Sequence, residues 1–224
     1  MGKPVKKFIA VAGNMGVGKT SMVDFLCSRY GVEPVYEPFM DNPYLDDFYK
    51  DMGRYAFHSQ LYFLTHKFRL HMALNNNEAP VVQDRTIYED AEIFATNLYR
   101  TRKINERDYK TYMELYETMK GALQPPDLMI YLRCSVRAIR RRIKKRGRPS
   151  EQDIPVRYIR NLNKLYEEWI ERYDQSPVLI WDSERMDYLT DMVDRLEFQQ
   201  SLDGVFGDGY RTQTTPRLPS TVTV

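Results

Sequence analysis

The sequence has few of the features that mark secreted, disulfide-stapled or fibrous proteins. Of its 224 residues only two are cysteines, Cys27 and Cys134. Both have apolar neighbours, which is typical of buried thiols in a reducing compartment rather than of a disulfide framework. The 11 glycines and 12 prolines are too few for a collagen-like or low-complexity chain. The composition therefore predicts an ordinary globular protein with reduced thiols.

A long hydrophobic run is also missing. Lysines occur in the first seven residues, but the apolar stretch that follows covers only residues 8–12 before Gly13 and Asn14 interrupt it. A signal-peptide core needs about 7 to 15 apolar residues, and a membrane-spanning helix needs about 20. We therefore expect a cytoplasmic protein with no membrane partner.

Neither charge sign dominates, because 33 basic residues face 31 acidic residues and leave a formal net charge of +2. Such a balance does not indicate a generally basic, nucleic-acid-binding protein. The positive charges are nevertheless concentrated between residues 133 and 148, where no acid occurs, at Arg133, Arg137, Arg140, Arg141, Arg142, Lys144, Lys145, Arg146 and Arg148. Like charges at this density repel one another, which favours an anionic partner. A lid over a triphosphate, a nucleic-acid surface and a solvated basic helix remain open.

Short apolar runs alternate with stretches of helical periodicity. The runs at 8–12, 35–36, 81–83, 128–132 and 178–181 indicate buried strands, and helices are expected around 57–72, 88–99, 106–123, 137–145 and 156–173. This alternation predicts an α/β fold with a five-stranded parallel sheet flanked by helices. After Leu202 the pattern dissolves. We expect one domain over residues 1–198 and a mostly disordered tail over 199–224.

A phosphate-binding motif lies between the first predicted strand and the next helix. Its residues are Gly13, Asn14, Met15, Gly16, Val17, Gly18, Lys19 and Thr20, which match G-x-x-x-x-G-K-[ST] in full. In such a loop, backbone amides surround phosphate oxygens at the positive end of a helix dipole. Lys19 would reach the β and γ phosphates, and the Thr20 hydroxyl would bind Mg²⁺. The motif predicts a nucleoside triphosphate site but does not define the reaction.

Further polar residues follow the ends of other predicted strands, where open α/β sheets bind ligands. Asp84 and Arg85 come directly after an apolar strand. Asp84 could bind the metal or its water shell, and Arg85 could contact an oxygen of the acceptor. The alternative is an Asp-Arg pair that caps the next helix. Glu37 follows the second predicted strand and could accept a proton from an attacking hydroxyl, although a glutamate before proline is commonly a solvated loop residue.

The basic segment ends in Arg146, Gly147, Arg148 and Pro149. Two arginines on a loop after a helix can neutralise the charge on a transferring phosphoryl group, which favours an Arg-rich lid over the other interpretations. We assign Arg142 and Arg146 to the ATP site.

With these residues in place, the sequence resembles the deoxynucleoside kinase family, and most closely its bacterial deoxyadenosine and deoxycytidine kinase branch. The resemblance extends from Phe8 to about Leu196. It depends on blocks at 13–20, 37–38, 42–49, 54–60, 83–90 and 146–148.

The resemblance implies a P-loop kinase fold and roles for particular residues. Glu37 would be the base that takes the 5′-hydroxyl proton, Arg85 would hold that oxygen, and Asp84 and Thr20 would serve Mg²⁺. The remaining residues implied to bind substrate are Tyr49 and Glu151 at the sugar 3′-hydroxyl, and Gln60, Asp90 and Phe94 at the base. The catalytic set is then Glu37, Arg85, Lys19, Arg146 and Arg148.

The implied reaction is ATP-dependent phosphorylation of a deoxynucleoside in nucleotide salvage. Deoxyadenosine is favoured, and deoxycytidine and deoxyguanosine are the other candidate substrates. Ser59 and Lys67 depart from some relatives and leave the choice between purine and pyrimidine open, although Asp90 argues against the guanosine-specific branch. Relatives also suggest a homodimer. The alternatives are a nucleoside monophosphate kinase, which would need arginines at the acceptor phosphate, and a non-catalytic nucleotide- or nucleic-acid-binding protein.

Overall fold

The fold is organised around a five-stranded parallel sheet. The computed structural model describes residues 8–36, 41–75, 77, 79–152, 154–185 and 191–206. The strands are β1 (Phe8–Ala12), β2 (Glu33–Val35), β3 (Val81–Asp84), β4 (Leu128–Arg133) and β5 (Val178–Asp182), in the order β2-β3-β1-β4-β5. Every neighbouring pair is parallel. The predicted five-stranded parallel sheet is confirmed.

Burial follows position in the sheet. All residues of the central strand β1 and of its neighbour β3 are buried, as expected for strands covered on both faces. The edge strand β2 has exposed Glu33 and Pro34, and it covers residues 33–35 where residues 35–36 were predicted. It pairs with β3 alone, so it needs no apolar run of its own.

Helices connect the strands. They are α1 (Lys19–Tyr30), α2 (Leu45–Lys50), α3 (Met52–Asn75), α4 (Ile87–Glu89), α5 (Thr96–Arg100), α6 (Glu106–Lys120), α7 (Val136–Arg146), α8 (Pro149–Gln152), α9 (Val156–Ile170) and α10 (Met192–Phe206). A π-helical segment, Asp90–Ala95, joins α4 to α5. The five predicted helical stretches correspond to α3, the α4–α5 segment, α6, α7 and α9.

Side-chain caps set several of these helix starts. Ser135 begins α7, and its Oγ accepts a hydrogen bond from the amide of Ala138 at 3.2 Å. Thr86 begins α4 in a capping box with Glu89. The capping role considered for Asp84 and Arg85 therefore belongs to Thr86.

Two apolar clusters cover the two faces of the sheet. Ile9 and Val11 of β1 point into a cluster with α1, α7 and α10. Ala10 and Ala12 point to the opposite face, where α6 and α9 supply large aromatic side chains. This alternation places β1 between both cores, so the loop that leaves it starts from a rigid strand.

Helix α10 passes through the expected domain boundary at 198/199. Phe198 and Leu202 are both fully buried, and the Phe198 ring lies 4.5 Å from that of Trp181. The packed part of the chain thus extends beyond residue 198, and residues 207–224 lie outside the described residues. Among the described helices, none is long and apolar enough to cross a membrane.

Candidate active site

A cavity of about 330 Å³ opens where β1 and β3 end. This is the carboxyl edge of the sheet, where ligands bind in open α/β folds. The structure brings most of the predicted site residues to its wall, namely Met15, Gly16, Lys19, Thr20, Tyr49, Gln60, Asp84, Arg85, Asp90, Phe94, Arg146, Arg148 and Glu151. Glu37 lies outside the described residues.

The phosphate loop turns between β1 and α1 on glycines. Gly13 has a φ of +146°, and a Cβ placed there would lie 2.9 Å from the carbonyl oxygen of Leu132. The Lys19 ammonium group donates to the carbonyl oxygens of Gly13 at 3.0 Å and Asn14 at 3.2 Å. The loop is therefore closed around its own lysine, which is 7% exposed and lies on the wall of the cavity.

Five residues assigned to the ATP site do not line the cavity: Gly13, Asn14, Val17, Gly18 and Arg142. Their contacts hold the loop. The Asn14 amide donates to Ile159 O and to Asn163 Oδ1, both at 3.1 Å. The Arg142 guanidinium donates to Val17 O at 2.6 Å and to Ser183 Oγ at 3.1 Å.

Thr20, near the start of α1, lies close to Asp84, the last residue of β3. The Thr20 hydroxyl donates to Asp84 Oδ2 at 3.0 Å. Asp84 is 6% exposed, and its other oxygen, Oδ1, is buried with no hydrogen-bond partner within the described chain. A hydroxyl beside an unsatisfied carboxylate oxygen is a donor set that suits a hard cation. These two residues fit a Mg²⁺ ion.

Arg85 has an uncommon backbone conformation, with a φ of 61°. Its amide donates to Val11 O at 3.1 Å, and its carbonyl oxygen accepts a hydrogen bond from Lys67 Nζ at 3.1 Å. Its guanidinium carbon lies 4.6 Å from the centre of the Phe94 ring. A non-glycine residue in the left-handed region costs free energy, and such residues cluster at functional sites. The surrounding contacts hold Arg85 there.

The cavity wall also contains the buried polar side chains of Gln60 and Asp90. Gln60 is 4% exposed, and its Oε1 makes no hydrogen bond to the described part of the chain. Lys67 Nζ lies 3.8 Å from Asp90 Oδ1, and both side chains are almost fully buried. A buried amide that faces a cavity with an unsatisfied oxygen is suited to a ligand that donates a hydrogen bond.

Arg146, the last residue of α7, and Arg148 converge on one carboxylate. Arg146 donates to Glu151 Oε2, and Arg148 Nη1 lies 3.6 Å from Glu151 Oε1. The nearby Tyr158 has its pKa raised above the ordinary value because burial disfavours the phenolate. Its hydroxyl is therefore neutral at physiological pH.

Six residues that line the cavity were not predicted: Tyr36, Leu45, Phe48, Phe63, Ile154 and Tyr158. Phe63 is three residues after Gln60 and shares its helix face, a signal that could have identified it. Leu45 and Phe48 lie inside the family block 42–49. The Tyr36 hydroxyl donates to Asp24, and this hydrogen bond is the largest reason that its pKa is raised. No sequence signal indicates Ile154 or Tyr158.

Comparisons with known proteins identify the family of the chain. A family model described as deoxynucleoside kinase matches residues 9–204. The deoxyadenosine/deoxycytidine kinase of Bacillus subtilis is 38% identical over 192 residues, which cover 84% of this chain and 88% of the relative. The deoxyguanosine kinase of Lactobacillus acidophilus is 38% identical over 199 residues, covering 84% and 85%.

A solved structure gives the same result. The deoxyadenosine kinase from M. mycoides, with the products dCMP and a flexible dCDP bound, matches with a TM-score of 0.78 at 32% identity. The match covers 88% of this chain and 99% of that chain. The chain therefore belongs to the deoxynucleoside kinase family, shares the P-loop kinase fold of its structural relatives and is a phosphotransferase.

Proposed function

We propose that the protein transfers the γ-phosphoryl group of ATP to the 5′-hydroxyl of a deoxynucleoside, with deoxyadenosine preferred. One observation carries this proposal: a single cavity is lined by the phosphate-loop residues Lys19 and Thr20 and by the buried amide of Gln60. A donor phosphate and a neutral nucleoside can thus occupy one space, which is the arrangement that direct phosphoryl transfer needs.

On the donor side, the phosphate loop with Lys19 holds the β and γ phosphates. Thr20 and Asp84 hold Mg²⁺, which neutralises phosphate charge when it is bound. Arg146 and Arg148 form a lid whose guanidinium groups stabilise the charge on the transferring phosphoryl group. Arg142 supports this end of the site through its contact with Val17.

On the acceptor side, Arg85 holds the 5′-oxygen and Glu37 takes its proton. Tyr49 and Glu151 bind the 3′-hydroxyl, while Phe94 packs against the base. Gln60 and Asp90 read the edge of the base, and the unsatisfied Gln60 Oε1 supports an amino group as its partner. Adenine and cytosine both carry an exocyclic amino group, in accord with the name of the Bacillus subtilis relative.

The test is a steady-state assay of the four deoxynucleosides with ATP and Mg²⁺. Deoxyadenosine should have the highest kcat/KM, and absence of transfer to all four would refute the proposal. Adding deoxyadenosine monophosphate as an acceptor separates a nucleoside kinase from a nucleoside monophosphate kinase. Steeply salt-dependent DNA binding without transfer would favour a nucleic-acid-binding protein instead.

The assignment of Glu37 has its own test. A Glu37→Gln variant removes the base but keeps the side-chain shape, so turnover should fall by about 100-fold or more while ATP binding is retained. Turnover near the wild-type value would show that another group accepts the proton.

We also propose that the protein is a cytoplasmic homodimer, formed through the helices that begin near Tyr88 and Glu106. On α6 the side chains of Tyr109, Met113 and Leu115 are partly exposed. Light scattering at micromolar concentration should give twice the monomer mass of 26.6 kDa.

A further inference from the structure

Glu89 is a fully buried carboxylate beside the cavity, with no exposed surface. It does not line the cavity wall, and the proposed mechanism gives it no role. Carboxylates are almost never fully buried unless they are paired or hydrogen-bonded, because removing the charge from water is costly. Its surroundings must therefore supply donors.

Those donors come from three different parts of the chain. Glu89 Oε1 accepts hydrogen bonds from the Gly13 amide at 3.2 Å and from the Tyr166 hydroxyl at 2.8 Å. Glu89 Oε2 accepts one from the Thr86 amide at 2.8 Å. The Arg85 Nε atom lies 4.0 Å from Oε1.

The capping box explains only part of this arrangement. Helix capping needs the contact between Glu89 and Thr86, three residues apart, and nothing more. The contacts with Gly13 and Tyr166 span 76 and 77 residues and connect the first residue of the phosphate loop to α9. The Glu89 carboxylate thus connects Gly13, on the donor side of the site, with Thr86, the residue that follows Arg85.

We propose that Glu89 is a positioning residue that holds the phosphate loop and Arg85 in a fixed relation, so that the donor phosphate and the acceptor oxygen are aligned. The inference rests on the proposed function, in which Gly13 begins the loop around the donor and Arg85 holds the acceptor. Glu89 itself touches neither substrate.

A carboxylate is specifically required, since every hydrogen-bonding neighbour of Glu89 donates. The Glu89→Gln variant has nearly the same shape but only one acceptor oxygen, and its NH₂ group would face a donor on either side. We expect kcat to fall by about 100-fold, because small misplacements of reacting groups have effects of this size. The equilibrium dissociation constants of ATP and deoxyadenosine should change by less than about threefold. Glu168→Gln on the surface is the matched control.

A purely structural role would give a different result. In that case Glu89→Gln would lower the Tm but leave kcat unchanged per folded molecule at a temperature well below the Tm. That outcome would overturn the proposal.

A second variant decides the question if Glu89→Gln does not fold. Tyr166→Phe removes one donor from Oε1, and we expect kcat to fall by about tenfold. Tyr112→Phe is its matched control, because the Tyr112 hydroxyl is equally buried and has no hydrogen-bond partner among the described residues. Equal kcat values for the two variants would contradict the proposal.

Hydrogen exchange separates this inference from the proposed function. In Glu89→Gln, peptides containing the amides of Gly13 and of Thr86 should both exchange faster than in the wild type, whether or not the protein phosphorylates a nucleoside. Unchanged exchange at Gly13 would refute the linkage. A wild-type protein that transfers no phosphoryl group would refute the proposed function alone.

Discussion

Thr20 and Asp84 illustrate how two residues 64 positions apart become one candidate metal site. The hydroxyl of Thr20 and the carboxylate of Asp84 are 3.0 Å apart because α1 begins, and β3 ends, at the same edge of the sheet. Thr20→Val keeps the side-chain shape but removes the hydroxyl. We expect activity at limiting Mg²⁺ to fall by about 10- to 100-fold.

Thr20→Ser is the control for this experiment, since it keeps the hydroxyl and should retain most of the activity. The measurement is turnover as a function of Mg²⁺ concentration. If Thr20→Val and the wild type showed the same Mg²⁺ dependence, the metal would lie elsewhere.

His71 makes the stability of the protein depend on pH. It is fully buried and its Nε2 lies 2.7 Å from Gln124 O, while burial lowers its pKa below the usual 6.5. Below about pH 6.5 the unfolded chain therefore binds a proton that the folded chain does not. The free energy of unfolding should fall as the pH decreases, by up to about 1.4 kcal/mol per pH unit from this group.

Urea unfolding at pH 7.5 and pH 5.5 checks this expectation, with His71→Gln as the comparison. Glutamine can still donate to Gln124 O but does not titrate, so the variant should lose less stability on acidification. If the wild type and His71→Gln lost the same free energy of unfolding between pH 7.5 and pH 5.5, groups other than His71 would cause the pH dependence.

The sequence identified those site residues that belong to a motif or follow a predicted strand, and it missed residues with neither signal. Lys19, Thr20, Asp84 and Arg85 follow strands or belong to a motif, and all four line the cavity. Tyr158 lies on α9, where one aromatic residue among several has no distinguishing signal. Its position depends on packing between distant segments.

Among the elements, central strands and long helices were the most predictable. Strands β1, β3 and β4 are buried on both faces, so their apolar runs stand out from the polar loops. The π-helical segment Asp90–Ala95 was not predicted, since it requires one hydrogen-bond shift within an otherwise helical sequence. It contains Asp90 and Phe94, which both reach the cavity.

Helix α10 provides a test of where the folded domain ends. A chain that stops at residue 198 loses Leu202, which is fully buried against the cluster of α1 and β4. We expect its free energy of unfolding to fall by about 2 to 5 kcal/mol, the usual range for losing a buried leucine side chain.

A chain that stops at residue 206 is the matched control, because it keeps Leu202. Its free energy of unfolding, measured by thermal or urea unfolding, should be close to that of the full-length protein. If the two truncations were equally stable, α10 would contribute nothing beyond Phe198.

For the whole molecule, the net charge of +2 hides an asymmetric distribution. The exposed face of α7 carries Arg137, Arg140, Arg141, Lys144 and Lys145, next to the loop contact made by Arg142. A positive surface near the proposed donor site would attract anionic ATP but not a neutral nucleoside.

Replacing these five residues with glutamine should raise the KM for ATP by about tenfold at low ionic strength. The KM for deoxyadenosine should not change. At 1 M salt the difference should nearly vanish, since the Debye length is then about 3 Å. A rise in both KM values that salt does not reduce would indicate a structural defect instead.

The order of the strands also has a consequence for synthesis of the chain. Strand β1 is made first, but its two neighbours in the sheet begin at Val81 and Leu128. The carbonyl oxygen of Leu132 also lies against Gly13, at the start of the phosphate loop. A nascent chain must therefore release β4 from the ribosome before β1 has both partners. The phosphate loop therefore reaches its final packing only after β4 has been made. Until then β1 is an incompletely paired apolar strand that chaperones can bind.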